Sequence, residues 1–400
     1  MKVVVVHGRY RSTAPSGENH VVDQERAALR RTGHRVSTFE RHSDDIAAWS
    51  LPRKAGLPLR SVRDRGTRRD LARHLERERP DVVHVHNTFP LLSPSVLQAC
   101  ADVGVPVVAT IHNYKLLCAS GDFFRDGRPC HDCADGRGAP GLLHGCYRGS
   151  RLATAPVVLG SVANRDAWRR LVSAYVFISG AQRDLMAPLR LPADRVFVKH
   201  NFVPEPGPVP GERERCVTYV GRLDAAKGVP LLMAAWDSFR RRHPDSTLRL
   251  AVAGGGPLDG PVRAWARTHP SVDVLGLVPR EEVWPLLARS IAVLVPSQWE
   301  ETFGLVAVEA MAASVAPVAP ASGSFPELVD DGVDGTLFRP GSAEGLALAI
   351  AGADADPGSY VEMGRRGRRT YERRFTLERG VDRLVEIYRF ATTHPVVRDR

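Results

Sequence analysis

Long apolar runs are missing from this sequence. A membrane-spanning helix needs roughly 20 consecutive apolar residues, and the N-terminal run Val3–Val6 passes into polar sequence after four residues. We therefore predict that this run is a buried strand and not a signal sequence. The expected location is the cytoplasm, with any membrane contact peripheral, at the inner membrane face and through exposed arginine-rich helices.

Lysine is the second scarcity. The chain has 55 lysines and arginines against 45 aspartates and glutamates, a formal net charge of +10, yet only five of these cations are lysine. Positive charge suits anionic partners such as nucleotides, phospholipid surfaces or nucleic acid. Because the arginines are scattered and no basic stripe interleaved with aromatic residues occurs, the sequence argues against nucleic acid as a partner.

Glycine and proline show no repeating period, although the chain has 35 glycines and 30 prolines. This excludes a collagen-like or low-complexity class, and an apolar fraction of 43% argues against disorder. A chain of 400 residues exceeds what one hydrophobic core usually serves. We therefore expect two folded domains.

Short runs rich in valine and isoleucine alternate with amphipathic segments, which is typical of parallel βαβ units. The strands predicted for the first half are Lys2–His7, Arg35–Phe39, Val82–His86, Val105–Ile111, Tyr175–Ile178 and Val196–His200. Those predicted for the second half are Cys216–Val220, Leu248–Ala253, Val272–Leu275, Ile291–Val295, Ala316–Val318 and Gly335–Phe338. The expected fold class is α/β, with two doubly wound, Rossmann-like domains facing across a ligand-binding cleft.

A proline-rich stretch divides the two halves. Four prolines and two glycines between residues 201 and 214 exclude regular structure and suit a linker. We place a first domain at residues 1–200, a linker at 201–214 and a second domain at 215–375. The remaining residues, 376–400, are expected to form an amphipathic helix that packs back on the first domain.

Two glutamates mark the most informative segment, residues 297–311. Glu301 lies in a loop after a predicted strand, and Glu309 lies inside an apolar helix that is predicted to start near Phe303 and Gly304. A carboxylate in such a helix is buried and needs a partner, which is either a ligand or a core arginine. Their spacing, up to roughly 12 Å along a helix, suits two hydroxylated groups on either side of a diphosphate. The helix N-terminus between them offers N–H groups to phosphate.

Two cations follow the first strand of the second half. Arg222 and Lys227 lie at the carboxyl edge of the predicted sheet, which suits a diphosphate leaving group. The scarcity of lysine favours a role for Lys227, and an ordinary solvated loop is the alternative. In the first half, His112 ends a predicted strand, where it either meets a sugar or is structural, and Gly17 lies in a loop that can present N–H groups to phosphate.

Together these residues resemble the family-four retaining glycosyltransferases of the GT-B fold, over nearly the whole chain. The segments that carry the resemblance are Gly33–Val36, Asp81–His84, Pro106–His112, Val220–Gly228 and the E-x7-E pair Glu301 and Glu309 with Ala310 and Met311 after it. The chain departs from the family at Ser16, where a glycine is usual, and at Thr302, where a glycine usually follows the first glutamate.

The resemblance implies transfer of a hexosyl group from a nucleoside diphosphate sugar to an acceptor hydroxyl, with retention of anomeric configuration and without a metal or other cofactor. UDP-sugars, and next GDP-sugars, are the expected donors. The acceptor is a glycan, a glycolipid or a small natural product. The first domain would bind the acceptor and the second the nucleotide sugar. The family's favoured mechanism is a front-face reaction, in which the leaving phosphate accepts the acceptor's proton.

The resemblance also implies roles for single residues. Glu309 would bind the ribose hydroxyls and Glu301 hydroxyls of the transferred sugar. Arg222 and Lys227 would hold the diphosphate and stabilise leaving-group charge in place of a metal. The other implied contacts are the amides of Phe303, Gly304 and Leu305 with the diphosphate, His112 with the sugar near the reacting centre, and Gly17 with its phosphate.

Four cysteines, Cys118, Cys130, Cys133 and Cys146, fall within 29 residues of a loop-rich insert at 116–150. One C-x2-C knuckle with two outlying cysteines predicts a structural zinc site. The alternatives are free thiols or labile disulfides, and an iron–sulfur cluster. A reducing cytoplasm disfavours stable disulfide bonds. The insert follows His112, so acceptor binding is our hypothesis for it.

Two other functions fit parts of the sequence. A sugar-nucleotide epimerase or phosphorylase would share the expected fold, although the two cations and two glutamates fit a transferase better. A nucleic-acid or anionic-surface binding protein would fit the net charge and the cysteines.

Overall fold

A computed structural model describes residues 1–12, 16–207 and 213–396 of the chain. Residues 208–212 of the predicted linker and 397–400 of the predicted C-terminal segment lie outside the described residues. The chain divides into two units. Unit 1 comprises Met1–Phe123, Cys130–Asn201 and the C-terminal residues from Gly380, and unit 2 comprises Phe124–Pro129 and Phe202–Arg379.

The predicted strands are confirmed, with ends displaced by at most three residues. In chain order, the strands are β1 (Lys2–Arg9), β2 (Arg35–His42), β3 (Val82–Val85), β4 (Val107–Ile111), β5 (Phe124–Arg125), β6 (Arg128–Pro129), β7 (Ala174–Phe177), β8 (Val196–Val198), β9 (Cys216–Val220), β10 (Arg249–Ala253), β11 (Val272–Gly276), β12 (Ala292–Leu294), β13 (Ala316–Pro320) and β14 (Thr336–Phe338).

Helices fill the connections. The α-helices are α1 (Gly17–Arg31), α2 (Leu51–Ala55), α3 (Leu57–Val62), α4 (Arg65–Glu78), α5 (Ser95–Val103), α6 (Ala139–His144), α7 (Arg151–Ala163), α8 (Arg165–Leu171), α9 (Gly180–Leu185), α10 (Val229–Arg242), α11 (Asp259–Ala266), α12 (Arg280–Ala288), α13 (Leu305–Ala312), α14 (Phe325–Leu328), α15 (Ala343–Ala355), α16 (Pro357–Arg374) and α17 (Leu377–Thr393). Short 3-10 turns lie at Ser43–Ala48, Ala187–Leu189 and Ala193–Arg195.

The main sheet of unit 1 is parallel, with the strand order β2-β1-β3-β4-β7-β8. The inner strands of this sheet are buried on both faces, so β1 reads as a run of valines and not as an alternating pattern. The edge strands β2 and β8 are partly exposed. The chain builds β2 on one side of β1 and the later strands on the other. The connections therefore diverge between β1 and β3, which is where ligands bind in such sheets.

The sheet of unit 2 repeats this arrangement, with the order β11-β10-β9-β12-β13-β14. Its first strand, β9, lies at the centre, and the chain changes direction between β9 and β12. Helix α13 packs between the sheet and α16. Its small alanine and valine side chains allow the helix to approach both neighbours closely. The loops after β9 and β12 thus meet at the carboxyl edge of this sheet.

The last helix, α17, contributes to unit 1 from Gly380 onwards. The hydroxyl of Tyr388 lies 2.7 Å from Nδ1 of His84 in β3, and Phe390 packs against Phe197 with ring centroids 4.9 Å apart. None of the helices in the described part of the chain is long and apolar enough to cross a membrane.

Candidate active site

Lys227 and Glu301 meet at the point where unit 2 changes direction. Lys227 lies in the loop after β9 and Glu301 in the loop after β12, and the lysine Nζ lies 2.8 Å from Oε2 of the glutamate. The same oxygen accepts hydrogen bonds from Ser297 Oγ at 3.1 Å and Trp299 Nε1 at 2.9 Å. These donors hold the Glu301 carboxylate, which is 6% exposed, in one orientation at the sheet edge.

Asp224 orders the loop that carries both predicted cations. Its carboxylate accepts a hydrogen bond from the backbone N–H of Lys227 at 2.8 Å and pairs with the side chain of Arg222. The Arg222 side chain is 66% exposed, so it is available to a ligand at the edge of the sheet. The lysine Nζ also lies 4.7 Å above the ring of Trp299, which restricts it further.

Gly228 explains how closely the two loops approach. Its φ is +76°, and a Cβ atom there would lie 1.8 Å from the carbonyl oxygen of Pro296. Only glycine fits such a position. The residue ends the Lys227 loop and begins α10, so the lysine is fixed by the contact between the β9 and β12 loops.

Glu309 is 2% exposed and lies in the interior of α13, as its apolar neighbours predict. It forms an ion pair with Arg280 at the start of α12. Its partner in this structure is therefore an arginine, as one of the two alternatives predicted, although this arginine is partly exposed and does not lie in the core. Burial raises the pKa of Glu309, and the Arg280 charge opposes this shift. Since the arginine side chain is 45% exposed, this partner can move aside for a ligand.

The N-terminus of α13 lies between the two glutamates. Gly304 caps the helix with a φ of +81°, and a Cβ there would lie 2.5 Å from the ring of Phe325. Phe303 is buried, whereas Leu305, the first helical residue, is partly exposed. The first N–H groups of a helix have no partner within the helix and attract anions.

Of the predicted residues of unit 1, His112 lines a pocket at the carboxyl ends of β3 and β4, whereas Gly17 is not among the residues that line it. Its polar wall includes Glu18, Asn87, His112, Asn113 and Lys115. Burial raises the pKa of Glu18 to about 7, against the opposing hydrogen bonds of Tyr10 and Asn113 and the charge of Lys115. Burial likewise lowers the pKa of Lys115. The pocket therefore holds a carboxyl that changes charge near neutral pH.

His112 is one of a group of buried histidines beneath this pocket. Its Nε2 lies 2.9 Å from Nδ1 of His86, whose Nε2 lies 3.8 Å from the Glu25 carboxylate. Burial lowers the pKa of His112 well below its ordinary value, as do the positive charges of His7, His84 and Lys199. A neutral imidazole at the pocket wall can donate or accept a hydrogen bond, so contact with a sugar hydroxyl is chemically reasonable.

Gly17 is the first residue of α1 and is exposed. The preceding Ser16, which replaces the usual glycine, caps the helix, and its Oγ accepts a hydrogen bond from Asn19 N–H at 3.4 Å. Serine is a preferred N-cap residue. The departure at Ser16 is therefore compatible with a helix N-terminus in this loop.

The four predicted zinc ligands lie near one another in unit 1. Burial raises the pKa of Cys133 to about 11, and the neighbouring thiols of Cys118, Cys146 and Cys130 add to this shift. No three of these sulfur atoms form a group with mutual distances within 4.8 Å, whereas Glu25, His84 and His86, alone among the described residues, do so. A zinc site at the cysteines stays a prediction.

Several residues around Lys227 and in the pocket of unit 1 were not predicted. Asp224 and Ser297 are common residue types in loops, and nothing in the sequence distinguishes them from solvated ones. Trp299 is one of only six tryptophans, and this scarcity was a signal that could have singled it out. The scarcity of lysine was a usable signal that we applied only to Lys227. Lys115 lines the pocket of unit 1, and Lys199, which is 2% exposed, pairs with Glu25, so three of the five lysines have such positions.

Two protein-family models match the chain, and together they span most of it. The model described as "Glycosyltransferase Family 4" matches residues 15–205. The model described as "Glycosyl transferases group 1" matches residues 207–370. The first model thus coincides largely with unit 1 and the second with unit 2.

Curated relatives include the glycogen synthase of Mycobacterium tuberculosis (strain ATCC 25618 / H37Rv). It is 27% identical over 359 residues, which are 86% of this chain and 76% of the relative. The D-inositol 3-phosphate glycosyltransferase of Rhodococcus jostii (strain RHA1) is 32% identical over 212 residues, 51% of this chain and 45% of the relative.

Solved structures share the fold at low sequence identity. Anabaena Alr3699/HepE, in complex with UDP, has a TM-score of 0.66 and 16% identity, covering 96% of this chain and 99% of that one. Sucrose-phosphate synthase from Thermosynechococcus elongatus has a TM-score of 0.68 and 18% identity, covering 97% and 98%. The fold of the chain is GT-B, with two parallel-sheet α/β domains.

Proposed function

We propose that the chain, a group 1 glycosyltransferase that uses nucleotide sugars, transfers a hexosyl group with retention of anomeric configuration. The donor is a UDP-sugar, with GDP-sugars second. The acceptor is a hydroxyl of a glycan, a glycolipid or a small natural product. Unit 2 binds the donor, within the predicted domain 215–375, and the predicted domain 1–200 binds the acceptor.

The contact between Lys227 and Glu301 carries this proposal. It joins a cation suited to diphosphate with a carboxylate suited to sugar hydroxyls, at the sheet edge where such folds bind nucleotides. Lys227 and Arg222 neutralise the diphosphate as it leaves. The amides of Phe303, Gly304 and Leu305 add hydrogen bonds to the same phosphates.

Glu309 binds the ribose hydroxyls, and Arg280 keeps its carboxylate ionised until the donor arrives. In unit 1, His112 contacts the transferred sugar near its reacting carbon, and Gly17 brings the backbone close to the sugar phosphate. The acceptor oxygen attacks the anomeric carbon while the bond to the leaving phosphate breaks, and that phosphate takes the acceptor's proton. No protein base is then required.

We also propose that the reaction needs no divalent metal. Each carboxylate at the proposed donor site already has a partner. Glu301 accepts hydrogen bonds from three donors. Asp224 forms an ion pair with Arg222, and Glu309 forms one with Arg280. Such groups are poor ligands for Mg²⁺, which prefers available carboxylate oxygens. A structural zinc ion at the cysteines would be independent of this chemistry.

Among the candidate donors, we rank UDP-sugars first because a solved structure of similar fold was obtained with UDP and with UDP-glucose. We do not propose a sugar-nucleotide epimerase, because no comparable observation supports that activity. Nucleic acid is not proposed as a partner.

Nucleotide binding by three variants tests the site. We expect Lys227→Ala and Glu309→Ala each to weaken UDP binding by about 30-fold or more, because each removes a charge-assisted hydrogen bond. Glu301→Gln keeps the shape and is expected to lower turnover more than UDP affinity. Titration calorimetry of UDP, GDP and ADP, with and without EDTA, measures these effects.

Arg242→Ala is the matched control, because Arg242 forms an exposed ion pair with Glu344 on the surface of unit 2. Its UDP affinity should equal that of the unaltered chain. Unchanged UDP affinity in the Lys227 and Glu309 variants would remove the site assignment, and loss of binding in EDTA would remove metal independence.

A further inference from the structure

Exposed apolar side chains concentrate in one part of unit 1. Eleven large apolar residues of the described chain are exposed, and seven of them lie on α2, α3, α6 and α7. We call the surface that they form the apolar face, and its members are Leu51, Leu59, Leu142, Leu143, Leu152, Leu159 and Val162. Single exposed leucines are ordinary, but a cluster marks an interaction surface.

The four helices are neighbours. Helix α7 packs against both α3 and α6, and α2 contacts α3. Leu51 at the start of α2 is 81% exposed and Leu152 at the start of α7 is 88% exposed. The residues of the apolar face therefore lie on helices that contact one another and not on unrelated elements.

Helix α7 is unusual for a surface helix. Residues 152–164 carry no charged side chain, yet only Thr154 and Val157 of this helix are buried. Leu152, Leu159 and Val162 are spaced by seven and three residues, which places them on one side of the helix. A helix that is apolar on most sides is normally covered by protein or lipid.

The surroundings of the apolar face are positively charged. Residues 46–63 and 136–165 contain no aspartate or glutamate, and each segment has four lysines or arginines. The cations are Arg53, Lys54, Arg60, Arg63, Arg137, Arg148, Arg151 and Arg165. Arg137 pairs with Asp135, just outside its segment. Arg53 stacks on Trp49, with its guanidinium carbon 4.2 Å from the ring centroid.

We propose that the apolar face docks on the surface of an anionic lipid bilayer. Leucines on a helix parallel to the membrane enter the boundary between headgroups and acyl chains, and neighbouring cations contact lipid phosphates. A second copy of this chain fits less well, because a symmetric contact through this face would bring like charges together.

The face also adjoins the pocket of unit 1. Ser61 of α3 and Pro156, Val157, Gly160 and Ser161 of α7 line that pocket. Docking therefore brings the wall of the pocket to the bilayer surface. If this pocket takes the acceptor, which rests on the proposed function, an acceptor carried by a lipid would reach it from the membrane.

Vesicle flotation of the full chain tests the docking surface. We expect binding to phosphatidylcholine vesicles that contain phosphatidylglycerol and at least tenfold weaker binding to pure phosphatidylcholine. Leu152→Ser with Leu159→Ser should weaken binding by about tenfold or more, since each leucine loses its burial in lipid. Arg53→Gln with Lys54→Gln should weaken binding and reduce its dependence on salt.

Leu348→Ser is the matched control. Leu348 on α15 is 59% exposed and Leu159 is 54% exposed, but Leu348 lies outside the apolar face. Its substitution should leave vesicle binding unchanged. Calorimetry with UDP, read separately, should give equal affinities for all these variants, so failure of the donor site and failure of the docking surface are distinguishable.

Three outcomes would overturn the proposal. The first is absence of binding to vesicles with phosphatidylglycerol, and the second is an equal loss of binding in Leu348→Ser. The third is a dimer in light scattering that dissociates in the Leu152 and Leu159 variant, which would assign the face to a second copy.

Discussion

Two opposing effects act on the buried carboxylate of Glu309. Burial raises its pKa and the ion pair with Arg280 lowers it, so the two effects compete within one side chain. The hydroxyls of a bound ribose would replace the partly exposed arginine as hydrogen-bond partners. The ionised form accepts hydrogen bonds from both hydroxyls, whereas the protonated form must donate one.

Substitution of Arg280 tests whether the ionised carboxylate of Glu309 is the form that binds the donor. We expect Arg280→Gln to raise the pKa of Glu309, because burial then acts without the opposing charge. On acidification from pH 7.5 to 5.5, the UDP affinity of the variant should therefore fall by about tenfold more than that of the unaltered chain. Calorimetry at the two pH values measures it.

Arg263→Gln is the control for that experiment. Arg263 forms an exposed pair with Asp259 in α11, so its loss should leave the pH profile of UDP binding unchanged. Parallel profiles for Arg280→Gln and the unaltered chain would contradict a role of the ionised Glu309 carboxylate in donor binding.

Residue type and spacing singled out Lys227, Glu301 and Glu309 as candidates, and their roles in binding stay predictions. Their partners were not predictable. Arg280 is 29 positions away from Glu309, and among 50 arginines no pattern distinguishes it. Ion pairs between distant positions depend on the three-dimensional arrangement of α12 and α13, which periodicity does not encode.

At the scale of elements, the strands were predictable because parallel, fully buried strands need valine and isoleucine runs. Helix α13 was predicted to start near Phe303 and Gly304, and it starts at Leu305. Gly304 has a positive φ and ends the preceding loop, so the helix begins at the next residue. The sequence analysis did not anticipate α7 as an exposed helix. An apolar helix suggests burial, and only the packing around it shows the uncovered side.

The loop between β9 and α10 gives a prediction at this scale. We expect Gly228→Ala to destabilise unit 2 by about 2 kcal/mol or more, because alanine at φ +76° is strained and its Cβ meets the Pro296 oxygen. UDP affinity should fall with it, since relief of the clash moves Lys227. Urea unfolding and calorimetry measure the two effects.

Gly260→Ala is the matched control within the same unit. Gly260 lies in α11, and a Cβ there would meet nothing within 4 Å. Alanine in a helix is favoured over glycine by about 0.5–1 kcal/mol, so this variant should be slightly more stable and bind UDP normally. A Gly228→Ala protein as stable as this control would contradict the proposed close approach of the loops.

At the scale of the whole molecule, two doubly wound units were predictable from length, alternation and the proline-rich stretch. Their ligand sites follow from topology, since each sheet changes direction beside its first strand. The contents of the unit 1 site were less predictable. Of the residues that line the pocket of unit 1, only His112 was identified from the sequence, because the other polar residues come from segments far apart in sequence, such as Glu18, Asn87 and Lys115.

The buried histidines of unit 1 make its stability depend on pH. Burial lowers the pKa of His7 and of His84 from 6.5 to about 4, and it lowers the pKa of His86 as well. Between these values the unfolded chain binds protons that the folded chain does not. Stability contributed by the neutral histidines is therefore present above pH 6.5 and lost as the pH falls towards 4.

Glu18 acts in the opposite direction. Its pKa is raised to about 7, so between about pH 4.5 and 7 the folded state binds the additional proton, and acidification there stabilises the fold. One carboxyl offsets about one histidine, because their shifts are similar in size. Since the pKa values of four buried histidines are lowered, those of His7, His84, His86 and also His112, the net effect of acidification on unit 1 is destabilising.

We therefore expect the free energy of unfolding of unit 1 to fall by about 3 kcal/mol or more between pH 7 and 4, from roughly 1.4 kcal/mol for each unit of pKa shift. Urea unfolding at a series of pH values, with hydrogen exchange of the β1 and β3 peptides to identify unit 1, measures it. His7→Gln should flatten the profile, whereas His144→Gln, at an exposed position, should leave it unchanged. A profile that is flat from pH 6.5 to 4 would show that the folded state accommodates protonated histidines. An equally steep profile in His7→Gln would show that His7 does not contribute to the pH dependence.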